Sequence, residues 1–311
     1  MFIFGGPDYD LIIVGSGPAG MTAAVYARRS GKTVLVIEKE KFGGQITSSP
    51  KVENFPGRLS MAGSDFANDL LHQAMENGAE FVLGTVTAVA QEGDFKSVTT
   101  EEGECYSAKA VILANGVKHR VLDLPGEREL IGNGVHFCVV CDGNLYAGKK
   151  AAIIGGGNSA LQEAVMLSEL AAELLIVQNL AFLTGEQQLI DLLESRSNVK
   201  IIYSTVVSQY KVESGKLTGL TLKSETDGRL SEVACDGCFL AVGLVPENEQ
   251  FSPVAKLDER GYYIADESCF TETEGLFVAG DCRQKAVRQL TTAASDGAVA
   301  ALAACRYIDN H

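Results

Sequence analysis

The chain is short of positive charge. Its 26 lysines and arginines face 40 acidic residues, for a net charge of −14. No excess of cations is left to neutralise a phosphate backbone, which argues against a nucleic-acid partner. Long apolar runs are also missing: none reaches the ~18–20 residues of a membrane span, so no membrane role is expected. The segment Met1 to Asp10 has no basic residue ahead of its few apolar ones. It is a poor signal peptide, and cytoplasm is the expected compartment. One internal stretch is barer still, since no Lys, Arg or His occurs from Ala151 to Ser195.

What is present fits a globular protein of two domains. The 311 residues are long enough for large cores, and 46% hydrophobic with 21% charged residues is ordinary composition. The stretch with most chemical content is Cys138-Val139-Val140-Cys141-Asp142-Gly143. Two thiols at this spacing can close a disulfide and lower one another's pKa, and the acid after them can supply or accept a proton. Taken alone, the spacing is ambiguous between a redox pair, half of a zinc site and accident. In a reducing compartment it points to catalysis or metal binding rather than a structural staple. A second C-x-x-C, Cys235 to Cys238, lies far along the chain. It is read as inert strand cysteines against a zinc or accessory redox pair, and no metal site is expected. Of the remaining cysteines (Cys105, Cys269, Cys282, Cys305), most are expected to be buried.

Asp10 to Val14 reads as a buried strand that runs into Gly15-Ser16-Gly17-Pro18-Ala19-Gly20. A helix is expected over Met21 to Arg29 and a second strand over Lys32 to Ile37, closed by Glu38. Strand, G-x-G-x-x-G, helix, strand and acid form a dinucleotide-binding unit. Its glycines let the backbone approach a pyrophosphate at the helix N-terminus, and its acid meets a ribose hydroxyl. A second copy starts at Lys149: strand Ala151 to Ile154, turn Gly155 to Ala160, helix Leu161 to Ala172, strand Leu174 to Val177. Short alternating segments over 81–111 and again over 201–240 predict small antiparallel sheets. The strand Gly275 to Ala279 ends in Gly280-Asp281, where an acid meets a ligand in the crevice. The alanine-rich helix after Gln289 points its N-terminal amides at whatever is bound.

Together these residues resemble the low-molecular-weight thioredoxin reductases over nearly the whole chain. The resemblance rests on Gly15 to Gly20, Gly43-Gly44-Gln45, Glu53 to Gly57, Cys138 to Gly143, Gly155 to Ala160, Gly280-Asp281, Arg288 through Ala293, and Asp296-Gly297-Ala298. It implies an α/β fold of two Rossmann-like nucleotide-binding domains, each three-layered (ββα). A discontinuous domain, 1–116 with 245–311, binds FAD. The other, 117–244, carries the redox pair on the fold of an NADPH domain, with a hinge near Gly116 and Gly243. The implied FAD contacts are Gly15, Gly17, Pro18, Ala19, Gly20, Glu38, Lys39, Gly44, Gln45, Asn54, Val86, Gly116, Gly280, Asp281, Arg288, Gln289 and Leu290. The implied catalytic residues are Cys141 facing the flavin, Cys138 as the interchange thiol, and Asp142 as the proton-handling acid. The implied partner is thioredoxin or a thioredoxin-like protein, and the implied assembly a homodimer.

The sequence departs from this pattern in one place. Members that use NADPH end the strand after the second glycine turn in His-Arg-Arg, with another Arg a few residues on. This chain has Gln178-Asn179-Leu180 and Thr184 at the matching positions. A desolvated 2′-phosphate needs charge-assisted donors, and none is local. The departure resembles ferredoxin-dependent flavin thioredoxin reductases and other deep-branching members. It leaves ferredoxin or another carrier as the expected donor and NADPH doubtful, unless cations arrive from elsewhere in the fold. Ferredoxin docking needs a basic patch, for which Arg28, Arg29, Lys32, Lys39 and Lys41 are candidates. The alternatives are a conventional NAD(P)H-dependent reductase, a dithiol oxidase that uses oxygen, and a flavin-binding redox sensor.

Overall fold

The computed structural model describes residues 7–49 and 52–311. They form two compact units. One comprises the described residues up to Thr47 together with Phe55–Lys118 and Val245–His311. The other comprises those of Ser48–Asn54 together with His119–Leu244.

The first unit opens with β1 (Tyr9–Val14), α1 (Pro18–Arg29) and β2 (Val34–Glu38). Leu11, Ile12 and Ile13 have no exposed surface, as expected of a parallel strand covered on both faces. Pro18 opens α1, where the missing N–H costs nothing. Next come α2 (Gly63–Glu76), β3 (Glu80–Leu83), β4 (Val86–Glu92), β5 (Phe95–Thr100) and β6 (Cys105–Leu113). Strands β3, β2, β1 and β6 are parallel neighbours, whereas β4, β5 and β6 pair antiparallel. The antiparallel segment is therefore continuous with the parallel sheet through β6 rather than a separate sheet. Alternation along the strands sends Leu11, Ile13, Val34, Val36 and Ile112 to a helix-covered face. Ile12, Val14, Leu35, Ile37 and Val111 go to the opposite face, where Val86, Val89 and Val98 cover them.

The chain passes through β7 (Lys118–His119) into the second unit. There follow α3 (Glu127–Leu130), β8 (Val135–His136), α4 (Val139–Asp142), β9 (Lys150–Ile154), α5 (Asn158–Leu170), β10 (Glu173–Val177), α6 (Gln187–Glu194) and β11 (Val199–Ile202). An antiparallel sheet of β12 (Thr205–Glu213), β13 (Lys216–Ser224) and β14 (Leu230–Ala234) precedes β15 (Gly237–Leu240). Strands β11, β10, β9, β15 and β8 form an all-parallel sheet. Cys235 and Cys238 are buried between that sheet and the antiparallel one. Burial pushes the Cys235 thiol up to about 12 and the Cys238 thiol upward as well, so neither forms a thiolate near neutrality.

After β16 (Leu244–Val245), β17 (Leu276–Val278) joins β6 in parallel, and α7 (Leu290–Asn310) closes the chain. Helix α7 packs on α1 through buried alanines, Ala23, Ala24 and Ala27 against Ala300, Ala301 and Ala304. Contact is closest at Gly297, where an added Cβ would stand 2.1 Å from the Ala19 carbonyl oxygen. The result is an α/β fold with parallel-sheet, Rossmann-like domains. Cys269, Cys282 and Cys305 are buried like the second pair, and Cys105 is exposed.

Candidate active site

In the second unit, β8 leads through Phe137 into the cysteine segment. Cys138 and Cys141 are joined in a disulfide with Cα atoms 5.3 Å apart. Cys138 caps the one-turn helix α4, and the Cys141 amide donates to its sulfur at 3.2 Å. That donor favours a thiolate on Cys138 once the bond opens. Both cysteines are half-buried and Val140 between them is exposed, so an incoming group can reach the pair. Asp142 is buried. Its Oδ2 meets His136 Nδ1 at 2.9 Å, while Oδ1 has no hydrogen-bond partner among the described residues.

Three groups here escape sequence reasoning. His136 also reaches the Tyr146 hydroxyl, 2.8 Å from Nε2. Glu163, on α5, has a buried oxygen with no partner among the described residues. Burial pushes its carboxyl up to about 7, against a smaller opposing pull from the Val139 amide. No periodic pattern links these residues to the cysteines. The only trace in the sequence is that His136, one of four histidines, stands two residues ahead of Cys138.

The first unit holds the first glycine turn. Gly15 sits at φ +102°, and an added Cβ would stand 2.5 Å from the Ala114 carbonyl oxygen, so only glycine closes this turn. Gly17 caps α1 with no side-chain bond, and Pro18, Ala19 and Gly20 follow, which leaves first-turn amides for a ligand. Glu38 accepts from the Ser16 amide at 2.7 Å and the Ser16 hydroxyl at 2.9 Å. Lys39 pairs with Glu247 at 2.6 Å. Gly44 lies against Gly17, and Gln45 donates to the Val117 carbonyl. Val86 is buried and accepts from Gln250, and Gly116 has φ +66°. Asn54 belongs to the second unit.

Gly280 and Asp281 follow β17 in the same unit. Asp281 Oδ1 is buried without a partner among the described residues. Burial raises its carboxyl, although Lys285 and Arg288 pull the other way. Arg288 donates to the carbonyls of Asp281, Arg283 and Lys285 and lies 4.1 Å over the Tyr262 ring. Gln289 caps α7 in a capping box with Thr292, just ahead of Leu290. Beneath them Asp296 takes Arg283 Nε at 2.8 Å, Lys285 Nζ at 3.0 Å and the Gly280 amide at 3.0 Å. Burial works against the Asp296 charge, but the two cations hold its carboxyl below the usual range.

A family model described as "Pyridine nucleotide-disulphide oxidoreductase" matches residues 9–297. The chain belongs to that family. The thioredoxin reductase of Listeria monocytogenes is 39% identical over 301 residues, covering 97% of this chain and 94% of the relative. A Clostridium pasteurianum "34.2 kDa protein in rubredoxin operon" is 39% identical over 304 residues, covering 96% of this chain and 97% of the relative. The crystal structure of Streptococcus pyogenes thioredoxin reductase matches with a TM-score of 0.91 at 35% identity, covering 97% of this chain and 99% of that one. The protein is an oxidoreductase of the thioredoxin reductase type.

The second glycine turn is lined by Gln178, Leu183 and Thr184. An added Cβ at Gly156 would meet Gln178 at 2.7 Å and Leu183 at 2.8 Å, and at Gly157 the nearest atom is Thr184 Oγ1 at 3.7 Å. None of these side chains is cationic. Leu180 and Phe182, beside Gln178, are exposed. The suggested basic patch of the first unit is largely engaged internally. Arg28 donates to the Asn77 and Lys32 carbonyls, Lys32 pairs with Asp309, and Lys39 pairs with Glu247. Arg29 and Lys41 stay exposed. Among the described residues no helix is long and apolar enough to cross a membrane.

Proposed function

We propose that the protein is an FAD-dependent disulfide reductase that delivers electrons through Cys138–Cys141 to thioredoxin or a thioredoxin-like protein. The observation that carries this reading is the accessible disulfide beside a buried, half-satisfied Asp142. The first unit fits FAD on its own geometry: a glycine turn that a Cβ would block, uncapped first-turn amides, and a buried Asp281 oxygen that lacks a donor. Gly15, Gly17, Pro18, Ala19, Gly20, Glu38, Lys39, Gly44, Gln45, Val86, Gly116, Gly280, Asp281, Arg288, Gln289 and Leu290 are the residues of this unit that would hold it. Bound FAD supplies the two electrons that open the disulfide.

The rest of the chemistry belongs to the chain. Cys138, as a thiolate, attacks one sulfur of the partner disulfide and forms a mixed disulfide, expelling the partner's second sulfur as a thiolate. Cys141 then attacks Cys138, re-forms the Cys138–Cys141 bond and releases the other partner sulfur. The partner gains two electrons and the pair loses two. Asp142 carries the protons that the thiolates take up and give back.

The donor we propose is a one-electron carrier such as ferredoxin, rather than NADPH held by a phosphate clamp. One observation supports it: uncharged side chains line the second glycine turn. The second reading is a conventional pyridine-nucleotide donor. It is favoured by a family match that runs through that turn and by an α5 N-terminus with no side-chain cap. A homodimer in the cytoplasm completes the proposal. Mixing FAD-loaded protein anaerobically with NADPH, NADH or reduced ferredoxin and following flavin bleaching tests the donor. Fast bleaching by micromolar NADPH would select the second reading.

A further inference from the structure

Asp142 is held by a buried line of side chains that the redox pair alone does not require. His136, on β8, is 2% exposed and lies between Asp142 Oδ2, 2.9 Å from Nδ1, and the Tyr146 hydroxyl, 2.8 Å from Nε2. Its ring is fixed between Phe239, stacked at 5.3 Å, and the edge of Tyr146 at 5.4 Å. Tyr146 is fixed in turn by the backbone at Gly237, where an added Cβ would come within 2.1 Å of its ring. Burial, reinforced by Asp142, pushes the Tyr146 phenol well above its ordinary range, so its hydroxyl keeps a proton that it can donate to Nε2. A neutral imidazole that accepts at Nε2 carries its own proton on Nδ1, facing Asp142. One carboxyl oxygen is then held by an N–H, and the other is the oxygen without a partner among the described residues.

We propose that His136 is a positioning residue for proton transfer at the Cys138–Cys141 pair: its Nδ1–H orients Asp142, and Tyr146 fixes that tautomer. The inference rests on the reading of the pair as the redox centre. In the step concerned, the Asp142 carboxylate takes the proton of the Cys138 thiol through Oδ1. An S–H bond breaks, an O–H bond forms, negative charge passes from carboxylate to sulfur, and no oxidation state changes; the thiolate so formed is the nucleophile in exchange. The Nδ1–H holds Oδ2 by a charge-assisted hydrogen bond, which leaves Oδ1 as the oxygen that takes the proton.

Other titratable groups lie around this line. Asp142 and Tyr146 face His136 directly, and Cys235, Asp236 and Cys238 approach Tyr146 from the β15 side. Glu163 approaches from α5, against the Val139 amide. Burial holds the two thiols protonated, so Glu163 is the group to separate from His136 in a pH profile.

The test is a thiol–disulfide exchange rate that needs no electron donor. Protein reduced with dithiothreitol and desalted anaerobically is mixed with dithionitrobenzoate from pH 5.5 to 9, in wild-type and Glu163→Gln backgrounds. His136→Leu is expected to slow exchange about tenfold or more and to displace the pH profile. His136→Asn, which keeps an N–H near the Nδ1 position, is expected to recover most of the rate. Tyr146→Phe keeps the ring packing and is expected to shift the profile. The inference is overturned if His136→Leu, or Tyr146→Phe where the leucine variant does not fold, gives the wild-type profile. It is equally overturned if His136→Asn is as slow as His136→Leu. A wild-type pair inert toward dithionitrobenzoate would instead remove the redox reading, and this inference with it.

Discussion

Gln178 donates from Nε2 to the Phe182 carbonyl at 3.1 Å, which folds the end of β10 back over the second glycine turn. In the first unit the corresponding strand ends in Glu38, whose carboxylate accepts from Ser16 in its own glycine turn. The same supersecondary unit thus carries a charged end in one copy and a neutral, self-satisfied end in the other. The two units differ where a nucleotide would be told apart by charge.

Restoring cations at this strand end should therefore create what is missing. Asn179→Arg combined with Thr184→Arg is expected to improve flavin reduction by NADPH about tenfold or more, with NADH little changed, since one charge-assisted bond contributes roughly 1.5–3 kcal/mol. Equal gains for both nucleotides, or none, would show that charge at this turn is not what limits NADPH.

The two cysteines should fail in different ways. Cys138→Ser is expected to bind flavin normally and to form no mixed disulfide with a thioredoxin-like partner. Cys141→Ser is expected to trap that mixed disulfide, because the resolving thiol is gone. Mass spectrometry after mixing with the oxidised partner distinguishes them. A trapped complex with Cys138→Ser instead would reverse the assigned roles.

Glu163 makes stability depend on pH. Its carboxyl stands near 7 in the folded chain against an ordinary 4.5. Below about pH 4.5 both states are protonated and no penalty applies. As pH rises toward 7 the unfolded chain sheds the proton first, so stability falls, and it levels off above 7. Glu163→Gln is expected to raise stability at pH 8 by about 2–3 kcal/mol and to change it little at pH 4.5. Urea midpoints at the two pH values check this, and an equal effect at both would contradict it.

Asp296 should be the opposite case. Asp296→Asn takes the buried counter-charge from Arg283 and Lys285, whose side chains are 2% and 5% exposed, and leaves Arg283 only the exposed Glu267 at 3.3 Å. A loss of about 3–5 kcal/mol is expected at pH 7. Because the folded carboxyl is held below its ordinary range, the wild-type advantage is full above about pH 4 and fades as pH falls. Flavin retention should drop too, since the Gly280 amide ahead of Asp281 hangs from the same carboxylate. An unchanged midpoint would contradict the account.

Both glycine turns, their strands and the long C-terminal helix were legible because each is local: an unbroken apolar strand, a fixed glycine spacing, then a helix. The helices begin earlier than apolar periodicity indicates, at Pro18 and Asn158, because their first turns lie within the glycine motifs themselves. The join of β5 to β6 was not legible, since edge pairing leaves no mark in the alternation of either strand. In the site, Cys138, Cys141 and Asp142 are contiguous and could be read directly. His136, Tyr146 and Glu163 could not, because only the turn of the chain through α4 and the packing of α5 bring them together. The engagement of Arg28 and Lys32 was hidden for the same reason: their partners, Asn77 and Asp309, are distant in sequence.

The central claim is that electrons reach a thioredoxin-like disulfide through Cys138–Cys141. The most direct measurement is an anaerobic single turnover. FAD-loaded protein is reduced with dithionite, freed of excess reductant and mixed with one equivalent of oxidised thioredoxin, and thioredoxin thiols are counted. Two thiols per chain are expected from the wild type and none from Cys138→Ser. Equal thiol yield from both proteins, or none from the wild type, would contradict the account.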